Sequence, residues 1–195
     1  MARPRHVVPV LLLLLLSTHA PARADRPWHV GFGGGASVPA GDLKDAFQNG
    51  YHGQAFVQFG ALETPFGARI ALNYQHFDLK SLAASPQAPS SGTGSVMSGL
   101  LNLSYGIRLA MIRPYVTAGL GAFQLGASPS GGSSSSKVHF GIDGGAGVQA
   151  RVAAIHLFVE GRYENLFTDK GLDPNAASSK SFAAQVIPIT FGVML

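Results

Sequence analysis

The stretch Gln185-Val186-Ile187-Pro188-Ile189-Thr190-Phe191-Gly192-Val193-Met194-Leu195 decides the fold. Ile187, Ile189, Phe191, Val193 and Leu195 fall on one face; Val186, Pro188, Thr190, Gly192 and Met194 fall on the other. Successive side chains of a strand point to opposite sides, so one row here is uniformly apolar and the other is mixed. A strand with lipid on one side and a filled lumen on the other has this composition. The reading is a closing strand of a membrane barrel that runs to Leu195.

Working backwards, seven more period-2 runs have about the 9 to 11 residues a tilted membrane strand needs. They span Trp28 to about Pro39, Gly50 to Gly60, Phe66 to Phe77, about Ser95 to Leu109, Pro114 to Gly126, Lys137 to Val152 and Ile155 to Phe167. In the third, Ala68, Ile70, Leu72 and Tyr74 alternate with Arg69, Ala71, Asn73 and Gln75. In the seventh, Ile155, Leu157, Val159 and Tyr163 alternate with His156, Phe158, Glu160, Arg162 and Glu164. The fifth has the least contrast, with Val116, Ala118 and Leu120 against Tyr115, Thr117 and Gly119. Eight runs in all predict an eight-stranded, antiparallel, up-and-down barrel, an all-β fold.

The connections alternate in length. Short ones fall at Ala61 to Pro65, Ala110 to Arg113 and Ala153 to Ala154; long ones at Ala40 to Asn49, Asp78 to Gly94, Ala127 to Ser136 and Thr168 to Lys180. Short periplasmic turns and longer external loops are the asymmetry of outer-membrane barrels. The long segments are rich in Ser, Pro, Gly and Ala, a composition expected of mobile loops. Asp169 and Asp173 lack the dense oxygen-ligand spacing of a calcium loop and are expected only to solubilise theirs.

The beginning of the chain points to the same location. Arg3 and Arg5 precede an apolar run from Val7 to Leu16, and Ala22-Arg23-Ala24 supplies an A-x-A cleavage site. Residues 1–24 are therefore read as a signal peptide, and residues 25–195 as one barrel domain beginning at Asp25. Removing Arg3, Arg5 and Arg23 takes the net charge from +4 to 4 − 3 = +1, so no basic balance suggests a nucleic-acid partner. Charged residues make up 12% of the chain, against about 25% in soluble domains, too few for a soluble barrel's outer surface. There is no cysteine, which excludes disulfides, thiolate metal sites and a lipid anchor on cysteine.

Alternation alone would also suit a soluble, ligand-holding barrel of the lipocalin type with inside and outside exchanged. The low charge, the alternating connections and Tyr51, Tyr74, Tyr105 and Tyr163 on the apolar rows favour lipid outside. Gly33-Gly34-Gly35-Ala36-Ser37-Val38-Pro39-Ala40-Gly41-Asp42, Pro114-Tyr115-Val116 and Phe158-Val159-Glu160-Gly161-Arg162-Tyr163 add short cues. With these, the chain resembles the small eight-stranded outer-membrane barrels, such as the OmpA transmembrane domain and OmpX-like proteins. The resemblance implies outer-membrane residence, contact with outer-membrane lipid, and passage through the outer-membrane assembly machinery. It also implies a terminal aromatic, where this chain has Leu195 and the nearest aromatic is Phe191; Leu195→Phe is expected to raise barrel yield. No periplasmic peptidoglycan-binding domain is read in the sequence, so cell-wall tethering is not implied.

Inward-facing polar rows would place Arg69, Arg108, Asp143, Arg151, Glu160, Arg162 and Glu164 in the lumen. An eight-stranded barrel is just wide enough for side chains to fill, so these charges should pair, with help from Asn73, Gln75, Asn102, Gln149 and Thr190. Arg69, Arg108 and Arg151 lie toward the short turns, Asp143 and Glu164 toward the long loops. The expected role is structural or surface-interacting, by a monomer with a largely plugged interior. A small-solute or ion channel is the alternative, and a soluble ligand-binding barrel comes third. Neither cofactor nor metal is expected, and no nucleophile motif suggests catalysis. The glycines of the first strand precede no helix, so they are read as space for bulky lumen side chains and not as a phosphate cradle.

Overall fold

In a computed structural model of the chain, residues 27–60, 64–80, 92–129, 135–167 and 184–195 are described. Residues 1–24, read as a signal peptide, Asp169, Asp173 and parts of the long connections lie outside them. Eight strands, β1 (Trp28–Gly41), β2 (Gly50–Phe59), β3 (Phe66–Asp78), β4 (Gly92–Gly106), β5 (Ile112–Pro129), β6 (Ser135–Val152), β7 (Ile155–Phe167) and β8 (Ala184–Met194), pair in sequence order. Every pairing is antiparallel, and β1 pairs with β8 to close the barrel. Closure leaves no unpaired edge, which is what lipid demands of a β structure.

The two faces separate as the alternation predicts. Leu72 is 59% exposed and Leu103 71%, whereas Arg69 and Glu164 are fully buried. Polar inside and apolar outside is the inverse of a soluble barrel. Rings gather near both ends of the outer wall. Trp28 and Phe59 are register partners, as are Phe66 and Tyr105, whose rings lie 5.2 Å apart. Toward the long loops stand Tyr51, Tyr74, Phe140 and Phe167. Eight residues separate Phe66 from Tyr74, about 26 Å of strand at about 3.3 Å per residue. With a tilt of about 40° this spans about 20 Å of membrane thickness, close to the apolar band of such barrels.

Several details depart from the sequence reading. Strand β4 ends at Gly106, not Leu109, because Leu109 and Ile112 exchange backbone hydrogen bonds of 2.8 and 2.9 Å around Ala110 and Met111. Ala110 takes a φ of 47°, and Ala153 in the turn from β6 to β7 a φ of 55°. Strands β5 and β6 continue into the Ser- and Gly-rich segment read as loop, pairing as far as Ala127 with Ser135. Backbone ladders need only N–H and C=O groups, so they propagate past the polarity signal. Pro188 lacks an amide hydrogen, and the β7–β8 ladder skips from Gly161–Ile189 to Glu164–Val186 without a change of register. The proline therefore interrupts the ladder without introducing a bulge.

The long connection after β1 contains a short helix, α1 (Leu43–Ala46), that the sequence did not announce. It is tied to the far side of β3 by Lys80 N–H to Ala46 O and Gln48 N–H to Asp78 O. Leu43 is buried, and the Phe47 ring lies 6.1 Å from that of Phe77. Leu43, Phe47, Phe77, Val96, Phe123, Leu166, Ala184 and Val186 thus form an apolar layer inside the long-loop end of the barrel.

Candidate functional site

Below the apolar layer lies a polar one, centred on Glu160 of β7. Arg69 Nη1 donates to Glu160 Oε2 at 2.8 Å, and Arg162 Nη2 donates to Glu160 Oε1 at 2.6 Å. Tyr115 OH adds a third bond, to Oε2 at 2.6 Å. Arg69 also lies 4.3 Å from the centre of the Phe56 ring, which packs edge-on against Phe158. Its Nη2 reaches Gln58 Oε1 at 3.3 Å. A carboxylate held by two guanidinium groups and a phenol repays much of the cost of removing those charges from water.

The remaining members attach to this centre or stand beside it. Arg162 Nε is 3.5 Å from Asp143 Oδ2, to which Asn102 Nδ2 donates at 2.6 Å. Gln75 Nε2 donates to Glu164 Oε2 at 2.6 Å, and Asn73 Nδ2 to Ser98 Oγ at 3.2 Å. Two of these links cross a glycine. Asn102, Gly119 and Asp143 lie in one register row, and a Cβ on Gly119 would collide with the Asn102 amide. Tyr115, Gly147 and Glu160 form another such row, with 2.6 Å left between a Gly147 Cβ and the Tyr115 oxygen. Missing side chains give partners two strands apart a way to meet. The same holds in β1, where a Cβ on Gly31 or Gly33 would run into the Phe56 ring or into Thr190 and Phe158.

Five of the seven charges read as a lumen network are therefore brought together: Arg69, Asp143, Glu160, Arg162 and Glu164. The other two, Arg108 and Arg151, are not in the interior. Both are exposed at the short-turn end, where β4 has already left the wall and β6 is about to turn. A guanidinium at the rim keeps its water and avoids the desolvation cost of the lumen. Arg113, read as part of a turn, is buried instead; it donates to Gln149 Oε1 at 3.3 Å and to the carbonyl oxygens of Thr64 and Pro65. Thr190 serves neither ion pair. It bonds His52 Nε2 at 2.8 Å, while Ser37 Oγ lies 3.0 Å from Nδ1 of the same ring.

This Ser37–His52–Thr190 chain is a grouping that spacing could not announce, because its members come from β1, β2 and β8. A neutral imidazole donates through one nitrogen and accepts through the other, so it satisfies both hydroxyls. Among the described residues, no group of three or more His, Cys, Asp or Glu is arranged to hold a metal. The charges also sort along the barrel axis. Of the arginines expected toward the short turns only Arg69 is interior, joined there by Arg113, while Asp143 and Glu164 lie toward the loops beside Arg162.

Comparison with known proteins adds the evidence of likeness. A family model described as outer membrane protein beta-barrel domain matches residues 8–193. Neisserial surface protein A superposes with a TM-score of 0.63 at 16% identity, covering 89% of this chain and 99% of that one. Ail, the attachment invasion locus protein of Yersinia pestis, was solved with the heparin analogue sucrose octasulfate; it gives 0.52 at 13% identity, over 86% and 97%. A major outer membrane protein of Thermus thermophilus gives 0.52 at 14% identity, over 86% and 97%. At these identities the likeness is one of fold. No curated protein matches the sequence significantly. With its closed eight-stranded wall, apolar outside and polar inside, the chain belongs to the outer membrane protein beta-barrel domain family and is an outer-membrane protein.

Proposed function

We propose that this protein is a non-conducting barrel that works as a structural, surface-interacting element of the outer membrane. Its four long connections face outward, and contact with the surroundings falls to them. One observation carries the reading: the lumen is filled twice, by the apolar layer around Phe47 and Phe77 and by the Arg69–Glu160–Arg162 layer beneath it. An eight-stranded wall leaves little room beside such side chains. Planar-bilayer recording of the refolded full-length protein tests this. No reproducible conductance steps are expected; regular steps that scale with salt would replace the plug by the small-ion channel.

The protein acts as a monomer held by lipid, without a cofactor and without catalysis. What supports the last point is that the Ser37 and Thr190 hydroxyls beside His52 are buried behind the wall, away from a lipid substrate. Among the described residues no carboxylate bonds that imidazole to complete a triad. Residues 1–24 serve as the export signal, and the mass of the protein recovered from outer membranes should correspond to a chain beginning at Asp25. Heat-modifiable migration on gels and sedimentation with outer membranes should accompany it.

A further inference from the structure

We propose that a groove in the outer wall holds one anionic glycerophospholipid of the periplasmic leaflet, with an acyl chain laid along β5 to β7 and the phosphate on Arg108 and Arg151. This goes beyond the structural reading and does not depend on whether the barrel conducts.

The groove has a volume of about 640 Å³, within the about 300–1,000 Å³ of small-molecule sites. Ala146 of β6 and Gly161 of β7 are register partners on its floor, and Tyr105, Ile107, Val148 and Val159 stand around them. A face turned to lipid gains from bulk, so a glycine there needs a reason; in a strand it marks a place where something approaches closely. At Gly33, Gly119 and Gly147 that something is this chain itself, since a Cβ would strike neighbouring atoms. At Gly161 it is not, because a Cβ would meet nothing within 4 Å. The room is used by whatever lies against the wall, and in a membrane that is an acyl chain.

Depth and charge fix the class of lipid. The groove lies within six residues of the short-turn ends of β4 to β7, about 20 Å of strand, or about 15 Å of depth at a tilt of about 40°. That is one leaflet, the periplasmic one. At its mouth Arg108 follows Ile107, and the end of β6 is tied to the β4–β5 turn by Arg151 N–H to Met111 O at 3.2 Å. Both arginines are exposed. Both also lie within electrostatic reach of His156, the register partner of Arg151, so their charges gather on the sector of the rim formed by the strands that line the groove. Among the described residues no Asp or Glu stands at this rim: Asp42, Asp45 and Asp78 belong to the long-loop end, and Asp143, Glu160 and Glu164 to the interior. A guanidinium group binds phosphate oxygens through paired N–H donors, while its stem lies along apolar wall. A zwitterionic lipid sets a cationic group beside its phosphate, which the arginines repel; an anionic lipid does not.

The test uses the full chain refolded into nanodiscs of equal parts phosphatidylcholine and phosphatidylglycerol, with native mass spectrometry after release into detergent to count the lipids retained. One phosphatidylglycerol per barrel, held in preference to phosphatidylcholine, is expected. Arg108→Gln and Arg151→Gln should each lower that preference about fivefold. Gly161→Leu should fill the groove and remove the bound lipid while heat-modifiable migration stays normal, because the new side chain enters open space. Equal retention of the two lipids, the mark of an unselective lipid shell, would overturn the proposal, and so would undiminished retention in Gly161→Leu. A dimer that Gly161→Leu dissociates would overturn it too, by giving the groove to a second copy of the chain. If Gly161→Leu does not refold, the native barrel decides. Phosphatidylglycerol spin-labelled on its acyl chain should broaden the Ala146 methyl resonance more than phosphatidylcholine with the same label, and equal broadening is fatal.

Discussion

At the scale of single residues, Glu160 is the hinge of the interior. Its carboxylate accepts from Arg69, Arg162 and Tyr115 together, so Glu160→Gln leaves the buried Arg69 without its counter-charge and Arg162 with Asp143 alone. Removing one partner of a buried pair costs about 3–5 kcal/mol. The urea midpoint of the refolded barrel should fall accordingly. Gly147→Ala should injure the same site from outside its chemistry, because the new methyl would stand 2.6 Å from the Tyr115 oxygen and push it off Glu160. The methyl would also stand 2.6 Å from the Val159 carbonyl oxygen, and a loss of about 1–3 kcal/mol is expected, that of overpacking.

The sequence told which residues face inward and not how deep they lie. Period-2 alternation put Arg69, Asp143, Glu160, Arg162 and Glu164 on the correct row, but it put Arg108 and Arg151 there too, since a row continues to the rim. Arg113 escaped for the opposite reason: it follows a turn and looked like part of one. Partner choice was illegible throughout. Whether Arg69 meets Glu160, 91 residues away, is fixed by register around a closed wall, which no local pattern encodes.

Among elements, the turns store the visible strain. Ala110 and Ala153 occupy left-handed φ values that cost a residue with a Cβ roughly 1–2 kcal/mol, and glycine escapes that cost. Ala153→Gly is expected to stabilise the barrel by up to about 1 kcal/mol, after the loss to the more flexible unfolded chain. Urea unfolding would show the midpoint moving up, and an unchanged midpoint would mean the strain is relieved elsewhere in the turn. The strands themselves were legible to within a few residues at most ends, because faces exposed to two different solvents leave a strong periodic trace. Helix α1 left none. Four residues make one turn, too short for any amphipathic period to register, and its place in the mouth depends on Phe77 of β3.

For the whole molecule, the wall should read depth. Ile70, Leu101, Leu120 and Ile142 form one outward row across β3 to β6, and Ile70 lies midway between Phe66 and Tyr74. Ile70→Arg should therefore cost about 2–4 kcal/mol in lipid vesicles, and Phe66→Arg near the rim about 0–1 kcal/mol. Reversible folding into vesicles measures both. Equal costs would mean that Ile70 is not at the membrane centre. The alternation, the low charge and the tyrosines were enough to choose lipid as the outer solvent, because the surrounding medium acts on every outward residue at once.

The two filled layers stand one behind the other along a single path, the way two resistors stand in series. In such a circuit the larger resistance sets the current, and shorting either one alone leaves the line nearly dead. Trimming the upper layer with Phe47→Ala should consequently leave bilayer recordings silent, and so should loosening the lower one with Tyr115→Ala. Current should appear only when both are cut, so the conductance of the double variant will far exceed the sum of the two single ones.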